Sequence, residues 1–528
     1  MNRWGAVAAV LLALAGAFAL RLPQLDLRPL HNDEAVNALK LAELWQHGRY
    51  RYDPDEFHGP SLHYFCRAVL RLAAAPEPAD WTGTHLRLTP VLFGVALIPL
   101  LLLFADGLGR GAVVWAAVFT AVSGATVFYS RYFIHETLLV FFTTLALGAG
   151  WRWYQTRRAV WAAIAGLGVG LMWATKETFV ITLGAVAVAL VAVAVTEHRA
   201  QAAMAAADSG ATATGRARQH RTWLWHVVLA GGVAGAIWLL FFSSFFTNWL
   251  GLLDSFRTYV PWVKRAGGAS PHIHPWYFYL ERLAWFHPPK SPVWSEGLIL
   301  ALAAVGTGVS LLGKKSALHR FLAIYTPTLT AAYSVISYKT PWCLLSFWQG
   351  MILLAGVGAV AVLDAVRGRA LKVAVVAVLA GLTAQLAWQA WRGSFVFFAD
   401  RRNPYVYAQT VPHLLKLVER VEAVAAAAPA GRETVVQVIA PEHDYGPLPW
   451  YLRRLKHVGW YDALPGEPFA PMVIVAARLD ARLDDKTGRR WIMVGLFEQR
   501  PGVFLELYVE RELWTRFVST LKREVEPE

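Results

Sequence analysis

Long apolar runs separated by short polar stretches make up the first three quarters of the chain. Each run has about the 20 residues that an α-helix needs to cross the hydrocarbon core of a bilayer. The pattern therefore predicts eleven membrane-spanning helices. They lie near residues 4–20, 86–105, 111–129, 133–151, 159–175, 178–196, 223–246, 296–312, 319–338, 342–363 and 371–391.

Basic residues concentrate in alternate connections between these runs, and this indicates the orientation of the chain. With a cytoplasmic N-terminus, the cytoplasmic connections hold up to four Lys and Arg each, whereas the short outer connections hold one each, at Arg131, Lys176 and Lys339. This asymmetry is what the positive-inside rule expects. The long outer loop at 21–85 also carries several Arg, but long loops count little in this comparison. We predict a multi-pass protein of the cell membrane (the inner or plasma membrane). We favour an uncleaved first helix over a cleaved signal peptide.

The pattern changes after residue 392, where short β-rich runs such as "PMVIVAARLD" alternate with helical and turn-rich stretches. The predicted fold class is a polytopic α-helical membrane protein, residues 1–392, with a C-terminal α/β domain, residues 393–528. An odd number of spans places that domain on the extracytoplasmic face. Long outer loops are expected at 21–85 and 247–295. The Ala-rich basic connection at 197–222 is expected to be a disordered or loosely helical cytoplasmic linker.

The composition supports a membrane protein and excludes a soluble one. Of 528 residues, 56% are hydrophobic and only 16% are charged. A net charge of +14 would suggest a nucleic acid partner for a soluble protein. Here many Lys and Arg fall in short loops, where they set orientation. We therefore expect the lipid bilayer as a partner and no nucleic acid.

Unusual polar residues collect on the predicted outer side. A charge near the end of an apolar run costs free energy unless it is paired or faces a wet cavity. Same-side clusters distant in the chain are therefore expected to converge in one pocket at the outer edge of the membrane. The candidate site residues are His31, Asp33, Glu34, His58, Arg131, Glu136, Lys176, Glu177, Lys290 and Lys339.

Such a pocket suits sugar transfer from a lipid-linked phosphate. Cations would hold the phosphate and stabilise the charge that develops as it leaves. A carboxylate near the acceptor would take the proton of the attacking hydroxyl. Adjacent acids also bind divalent cations, so Asp33 and Glu34, with His31 or His58 as helpers, are candidate metal ligands. The sequence leaves the metal requirement open.

Several motifs carry a resemblance to a known family. The Asp-Glu pair in "LRPLHNDEAVNALK" resembles the GT-C superfamily of polyprenyl-phosphate-sugar-dependent glycosyltransferases, which includes protein O-mannosyltransferases and the aminoarabinose transferases of lipid A. The ordered set "HNDEAVNA", "YDPDEFHGPSLHY", "SRYFIHE", "YKTPW", "RRNPYVYAQT" and "EHDYGPLPWYLRR" is similar to the prokaryotic family named for a flippase-activity-associated archaeal protein. The resemblance spans almost the whole chain.

The resemblance implies a GT-C-like membrane core with catalytic loops on the outer face and a polyprenyl-phosphate-linked sugar that enters from the bilayer. Asp33 matches the acid proposed in that superfamily as base or acceptor-binding group, and Arg131 and Glu136 fall where related enzymes place polar residues. The leading hypothesis is an inverting glycosyltransferase. In it Asp33 activates an acceptor hydroxyl, Glu34 assists or binds a metal, and Arg131 and Lys339 hold the phosphate. The acceptor, whether protein, lipid or glycan, stays open.

Two other classes of function are alternatives. A lipid-linked glycan flippase or transporter would carry buried polar groups near the bilayer midplane, often on interrupted helices in repeated halves. Here the charges gather at helix ends on one side, and no repeat is visible. A noncatalytic scaffold for envelope assembly would keep the shape of the site without its chemistry.

Overall fold

The first 400 residues are mainly helical, and each apolar run of the sequence coincides with helix. The computed structural model describes residues 3–525 except 57, 206–213, 268–269, 271 and 314. Short 3₁₀ turns at Pro78–Asp80, Leu101–Phe104 and Pro341–Leu344 join some of the helices. The α-helices are α1 (Arg3–Arg21), α2 (Asn32–His47), α3 (Ser61–Leu72), α4 (Gly83–Leu100), α5 (Ala105–Leu108), α6 (Arg110–Val122), α7 (Gly124–Ser130), α8 (Glu136–Thr156), α9 (Ala159–Trp173), α10 (Phe179–Ala205), α11 (Thr214–Phe242), α12 (Leu250–Arg257), α13 (Tyr259–Gly267), α14 (Phe278–Ala284), α15 (Gly297–Leu312), α16 (Ala317–Val335), α17 (Leu345–Ala365) and α18 (Arg369–Phe395).

Length and composition mark fewer spans than the sequence predicts. Among the described residues, six helical stretches are long and apolar enough to cross a membrane, or seven if α6 and α7 form one span. The shorter helices α9 and α15 are also apolar. The predicted number of eleven spans is therefore not confirmed. The fold class, a helical membrane protein with a C-terminal α/β domain, is confirmed. The six stretches are Arg3–Arg21, Gly83–Leu108, Phe179–His198, Trp223–Phe242, Pro341–Ala365 and Arg369–Phe395.

The sequence predicts one continuous helix over 111–129, but the structure bends it by 56° between α6 and α7. A distant carboxylate, Glu296, stabilises the bend. Its Oε1 accepts hydrogen bonds from Ser123 Oγ (3.0 Å), from the backbone N–H of Ala125 (2.8 Å) and from the Tyr405 hydroxyl (2.7 Å). Because the first N–H groups of a helix have no partner within the helix, an acceptor at this point stabilises the start of α7.

Part of the predicted linker at 197–222 is helical. Helix α10 extends to Ala205 and helix α11 begins at Thr214. The centre of the linker, 206–213, lies outside the described residues.

The C-terminal region forms a five-stranded mixed sheet in the order β2-β1-β3-β5-β4. Strand β1 is parallel to both β2 and β3, whereas β5 is antiparallel to β3 and β4. Short 3₁₀ turns lie at Gly431–Glu433, Pro441–His443 and Ala477–Leu479. The α-helices and strands are α19 (His413–Ala427), β1 (Val436–Ile439), α20 (Leu448–Tyr451), β2 (Val458–Tyr461), β3 (Met472–Ala476), α21 (Leu483–Lys486), β4 (Trp491–Arg500), β5 (Val503–Glu510) and α22 (Arg511–Val525).

Both faces of this sheet are covered. One face packs against α19 and α22 through a large apolar cluster, and the other carries a smaller cluster around Val473, Val475 and Tyr508. The β-rich runs of the sequence correspond to β1, β3, β4 and β5. Strand β2 was not predicted, because it has only four residues, lies at the edge of the sheet and contains Gly459.

Helices α15 and α17 pack closely through glycine. A Cβ atom on Gly306 of α15 would overlap the carbonyl oxygen of Leu354 of α17, and one on Gly358 of α17 would overlap the carbonyl oxygen of Leu302 of α15. Backbone atoms cannot move aside as a flexible side chain can. The reciprocal contact therefore requires glycine on both helices.

We predict that Gly306→Ala lowers the free energy of unfolding by about 1–3 kcal/mol, because overpacking forces the two helices apart. Gly308→Ala, on the same helix, is the matched control, since no atom lies within 4 Å of its Cβ position. Removing that glycine should be neutral or stabilising, by up to about 1 kcal/mol. Thermal unfolding in detergent measures both variants. Equal melting temperatures would contradict the proposed packing.

Candidate active site

The junctions between helices meet at one end of the helical region, and most of the predicted polar residues lie there. Arg131, between α7 and α8, donates hydrogen bonds from Nη1 to the carbonyl oxygens of Arg21 (2.7 Å) and Pro23 (2.7 Å) after α1. The backbone N–H of Gly59 donates to the carbonyl oxygen of Thr175 (3.1 Å), between α9 and α10. Segments distant in the sequence are thus held together by hydrogen bonds to backbone carbonyl oxygens.

Residues His31 and Glu34 form a capping box at the start of α2. His31 is the N-cap, and its Nδ1 accepts from the backbone N–H of Asp33 (3.1 Å), while Glu34 Oε2 accepts from the backbone N–H of His31 (3.0 Å). Burial lowers the pKa of His31, so the ring is neutral near pH 7 and Nδ1 can accept. The cap fixes the first turn, in which the side chain of Asp33 is 43% exposed.

Glu34 is fully buried and its carboxylate is saturated. Arg87 of α4 donates from Nε to Oε1 (2.7 Å) and from Nη2 to Oε2 (2.6 Å), and the backbone N–H of Phe133 donates to Oε1 (2.9 Å). Burial alone would raise the pKa of Glu34, but the guanidinium of Arg87 outweighs it and the pKa lies below its usual value. The two adjacent acids therefore differ, because Asp33 faces open space and Glu34 anchors the helix.

Asp33 shares its surroundings with aromatic rings and a histidine that the sequence analysis did not select. The carboxylate of Asp33 lies 3.6 Å from His31 Nδ1. The His31 ring meets the edges of Tyr132 at 5.5 Å and Trp342 at 5.9 Å between ring centroids. Burial lowers the pKa of His272, and the nearby Asp33 carboxylate partly opposes this effect. Asp33 thus lies beside a cluster of aromatic and imidazole side chains.

Lys339 reaches this region because the chain segments 272–274 and 337–339 meet in an isolated antiparallel β-bridge between Ile273 and Tyr338. The backbone N–H of Lys339 donates to the carbonyl oxygen of His272 (2.8 Å). The backbone N–H of His274 donates to the carbonyl oxygen of Ser337 (3.1 Å). Lys339 Nζ donates to the carbonyl oxygens of His274 (3.1 Å) and Ile336. The predicted lysine is therefore brought beside two histidines of the motif "HIH".

Tyr407, from the motif "RRNPYVYAQT", links these histidines to the aromatic cluster. Its hydroxyl lies 2.7 Å from Nδ1 of His272 and 3.2 Å from Nε2 of His274. Its ring centroid is 5.9 Å from that of Trp342. The hydroxyl bridges two rings that enter from another loop, so Tyr407 fixes their orientation.

A second group of predicted residues, His58 and Glu177, is connected to Tyr338 through the ring of Trp262. The ring of His58 stacks on Trp262 (5.2 Å between centroids), and Trp262 meets Tyr338 at 6.4 Å. His58 Nδ1 lies 2.7 Å from Oε1 of Glu177. Burial would raise the pKa of Glu177, but His58 outweighs it and the pKa is lowered. Ring contacts between Tyr338 and His272 (5.0 Å) connect this group to Asp33.

Lys176 and Glu136 form a buried ion pair next to this second group. Burial alone would lower the pKa of Lys176, but Glu136 outweighs it and the pKa is raised. The pair is neutral overall, so it contributes shape and polarity to the pocket rather than net charge.

Two predicted residues have other surroundings. Arg131 Nη2 donates to the carbonyl oxygen of Gln24 (3.0 Å), so each of its described hydrogen bonds supports the loop after α1. Lys290 is exposed, and its carbonyl oxygen accepts from Arg402 Nη1 (3.0 Å). We assign neither side chain to the phosphate below.

Arg282 of α14 is a cation that the sequence analysis missed. Its guanidinium lies 3.6 Å over the ring of Phe278, and the ring of His274 stacks on the same Phe278 at 4.1 Å between centroids. Arg282 Nε is buried and has no hydrogen-bond partner among the described residues. Burial and the nearby Arg282 charge both lower the pKa of His274. The motif "HIHPWYFYLERL" placed both residues in an outer loop, which was the signal that could have revealed them.

Metal ligation is not evident in the part of the chain that the structure describes. Within it, no group of three or more His, Cys, Asp and Glu side chains is arranged to hold a metal ion. Three candidate ligands, His31, Asp33 and Glu34, lie at the start of α2. The fourth, His58, lies beside Glu177 in the second group.

The C-terminal region holds the loop that leads to Asp33. The backbone N–H of Leu30 donates to the Tyr451 hydroxyl (2.8 Å), and the carbonyl oxygen of Leu30 accepts from Thr410 Oγ1 (2.8 Å). Gly446 approaches Asn32 so closely that a Cβ atom would overlap the Asn32 side chain. Both backbone groups of Leu30 are thus satisfied by residues more than 370 positions away.

Comparisons with solved structures identify the architecture. The chain is similar to the archaeal oligosaccharyltransferase AglB from Archaeoglobus fulgidus in complex with an inhibitory peptide and a dolichol-phosphate, with a TM-score of 0.60, 13% identity, and coverage of 97% of this chain and 77% of that chain. It is also similar to ArnT from Cupriavidus metallidurans bound to undecaprenyl phosphate, with a TM-score of 0.60, 14% identity, and coverage of 97% and 99%. The chain has the GT-C fold.

A family model supports the same relationship from sequence. Residues 71–251 match the family described as dolichyl-phosphate-mannose-protein mannosyltransferase. This match covers helices of the GT-C core but ends before the segments that carry His272 and Lys339. Among curated protein sequences, none matches the chain significantly. The predicted resemblance to GT-C glycosyltransferases is confirmed.

The different environments of the adjacent acids of this GT-C chain generate a prediction about stability. Glu34→Gln should lower the free energy of unfolding by about 3–5 kcal/mol, because it leaves the buried Arg87 without its carboxylate. Asp33→Asn is the matched control and should cost less than about 1 kcal/mol, the usual value of an acid in the first turn of a helix. Thermal unfolding of both variants in detergent compares them. A larger loss for Asp33→Asn would show that the roles are reversed.

Proposed function

We propose that this chain is a membrane glycosyltransferase that moves a sugar from a polyprenyl-phosphate-linked donor to an acceptor hydroxyl, with inversion. The observation that carries the proposal is the half-exposed Asp33 carboxylate, fixed by a saturated neighbour beside a pocket of aromatic and imidazole side chains. The GT-C fold and the mannosyltransferase family match support the reaction class. AglB and ArnT were solved with dolichol-phosphate and undecaprenyl phosphate.

The polyprenyl chain would lie in an apolar groove between α15 and α16, with α17 as its floor. The groove has a volume of about 520 Å³ and an almost wholly apolar lining. Apolar walls with polar groups at one end are the usual form of a site for an amphipathic ligand. Trp276 and Val335 line the groove, and they lie close in sequence to His274 and Lys339. Other lining residues include Leu300, Ala303, Thr307, Pro327, Ala331 and Leu354.

Arg282 and Lys339 are the cations that we assign to the donor phosphate. Arg282 has a buried Nε without a described partner, and guanidinium groups match phosphate oxygens well. Lys339 uses two of its three N–H donors on backbone carbonyls, which leaves one for the phosphate. Two fixed cations at the end of an apolar groove would stabilise the charge on the departing phosphate.

The transfer would be a single displacement. The acceptor oxygen attacks the anomeric carbon from the face opposite the phosphate, and Asp33 takes the proton of that hydroxyl. The bond between the anomeric carbon and the phosphate oxygen breaks, and the polyprenyl phosphate leaves with the bonding electrons. One displacement inverts the configuration at that carbon. Glu34 positions Asp33 and is not a second base or metal ligand, because Arg87 and two backbone N–H groups occupy its oxygens.

The second group of residues would contact the sugar or the acceptor. Trp262 stacks on His58, and Glu177 lies beside the same imidazole. Aromatic rings flanked by carboxylate and imidazole groups suit the apolar faces and the hydroxyl groups of a sugar. The buried pair of Lys176 and Glu136 would hold this wall in place.

We assign the active site and the C-terminal domain to the extracytoplasmic face. The distribution of Lys and Arg between alternate connections supports this orientation, since the short connections at the site hold one base each. The contacts of Tyr451 and Thr410 with Leu30 support an assignment of the C-terminal region to the same side as Asp33. The acceptor, a protein, lipid or glycan hydroxyl, would therefore approach between this domain and α2.

A lipid-linked glycan flippase and a noncatalytic scaffold are the two alternative functions. Transporters carry buried polar groups near the bilayer midplane. The buried ion pairs of this site, Glu34–Arg87 and Glu136–Lys176, instead lie near the ends of helices. A scaffold has no need of an exposed carboxylate fixed by a buried ion pair. Glycosyl transfer therefore explains more of the site.

The test is transfer by the reconstituted protein from a radiolabelled polyprenyl-phosphate sugar to an extract of the producing cells. Asp33→Asn should reduce the rate of transfer by about 10²–10⁴-fold, the usual contribution of a general base. Folded yield and donor binding should be unchanged. Lys290→Met is the matched control and should keep full activity.

Four results are informative. Wild-type transfer that is lost in Asp33→Asn supports the proposal. Equal transfer by the two proteins would remove Asp33 from the mechanism. Movement of the labelled lipid between leaflets without transfer would favour a flippase, and the absence of both activities would favour a scaffold.

A further inference from the structure

Four buried arginines surround the loop between α1 and α2, with one buried carboxylate among them. Arg21, Arg28, Arg87 and Arg131 are each less than 8% exposed. Glu34 is the carboxylate that pairs with this group, and it is bound to Arg87. Arginine keeps its charge in proteins, so the group carries an excess of positive charge. Buried charge of one sign is costly unless hydrogen bonds or a counter-ion compensate it.

Three of the four guanidinium groups donate at least three hydrogen bonds each, although the buried Nε of Arg21 has no described partner. Arg87 donates to Glu34 and to three backbone carbonyls, Arg131 donates to three carbonyls, and Arg21 donates to two carbonyls and a hydroxyl. Arg28 donates one hydrogen bond among the described residues, from Nη2 to the carbonyl oxygen of Arg131 (2.7 Å). Its Nε is buried and has no partner in the described part of the chain.

A small cavity lies beside Arg28. Its volume is about 10 Å³, and its walls are Leu25, Arg28, Arg87, Phe128, Arg131 and Ser394. The hydroxyl of Ser394 is buried and has no hydrogen-bond partner among the described residues. Three guanidinium groups and an unpaired hydroxyl donor therefore border one space, and none of the six lining residues is an acid.

We propose that this cavity binds a single monatomic anion, chloride, between Arg28, Arg131 and the hydroxyl of Ser394. The volume admits about one water-sized species, which excludes phosphate, sulfate and a lipid headgroup. Chloride accepts hydrogen bonds from guanidinium and hydroxyl groups and needs no covalent chemistry. It would offset the excess charge that Glu34 leaves uncompensated.

The bound anion would stabilise the loop that carries Asp33. Arg28 contacts the carbonyl oxygen of Arg131, and its guanidinium lies 4.7 Å over the ring of Phe128 and 4.8 Å over the ring of Tyr132. Tyr132 in turn contacts the cap residue His31. The anion site is therefore separate from the donor and acceptor pocket but shares this loop with it.

The test is thermal unfolding of the full chain in sodium chloride and in sodium gluconate at equal ionic strength. Gluconate is too large for the cavity, so chloride should give a saturable rise in melting temperature that gluconate does not. Ser394→Ala should weaken the apparent chloride affinity by about tenfold, the effect of losing one hydrogen bond to a charged group. Ser310→Ala is the matched control, because Ser310 is a buried helical serine with an unpaired hydroxyl outside this cavity.

Anomalous diffraction from crystals grown in bromide gives a second measurement. A bromide peak between Arg28 and Ser394 is expected, and it should disappear in Ser394→Ala crystals grown at a lower bromide concentration. Equal melting curves in chloride and gluconate, or a chloride effect that Ser394→Ala and Ser310→Ala change equally, would overturn the proposal. A cavity that holds water in bromide-grown crystals would also overturn it.

Discussion

The buried ion pair between Glu34 and Arg87 is the interaction on which the rest of the site depends. It joins the first turn of α2 to α4, and through the backbone N–H of Phe133 it reaches the loop before α8. A saturated buried carboxylate cannot take a proton or bind a ligand without losing these partners. In the proposed function, the chemistry of the Asp-Glu motif is therefore assigned to Asp33, whose side chain is partly exposed beside its buried neighbour.

Loops from distant parts of the chain complete the pocket around that fixed turn. The segment at 272–274 pairs with the one at 337–339, Tyr407 bridges two of the histidines, and Tyr451 holds the backbone of Leu30. Each contact gives a hydrogen-bond partner to a backbone or imidazole group of these loops. The C-terminal region thus supports the loop that leads to α2 and, in the proposed function, to the active site.

The sequence predicts the helices well, but it does not predict which of the two adjacent acids is buried and which is exposed. Apolar runs are local signals, so each predicted run coincides with helix, but the bend at Ser123 depends on Glu296, 173 positions away. The Asp-Glu pair was visible in the sequence, whereas the partner that separates the roles of the two acids, Arg87, lies 53 positions from Glu34. His272, His274 and Arg282 were missed for the same reason, since tertiary contacts bring the two histidines beside Lys339, and Arg282 meets His274 through the ring of Phe278.

The most direct measurement is a structure of this protein with a nonhydrolysable polyprenyl-phosphonate analogue of the donor. We expect the lipid chain in the groove between α15 and α16, the phosphonate beside Arg282 and Lys339, and the anomeric carbon facing Asp33 across the space of one acceptor hydroxyl. Glu34 should remain bound to Arg87. A phosphonate bound at Arg131, or a sugar turned away from Asp33 with Glu34 released from Arg87, would contradict this expectation.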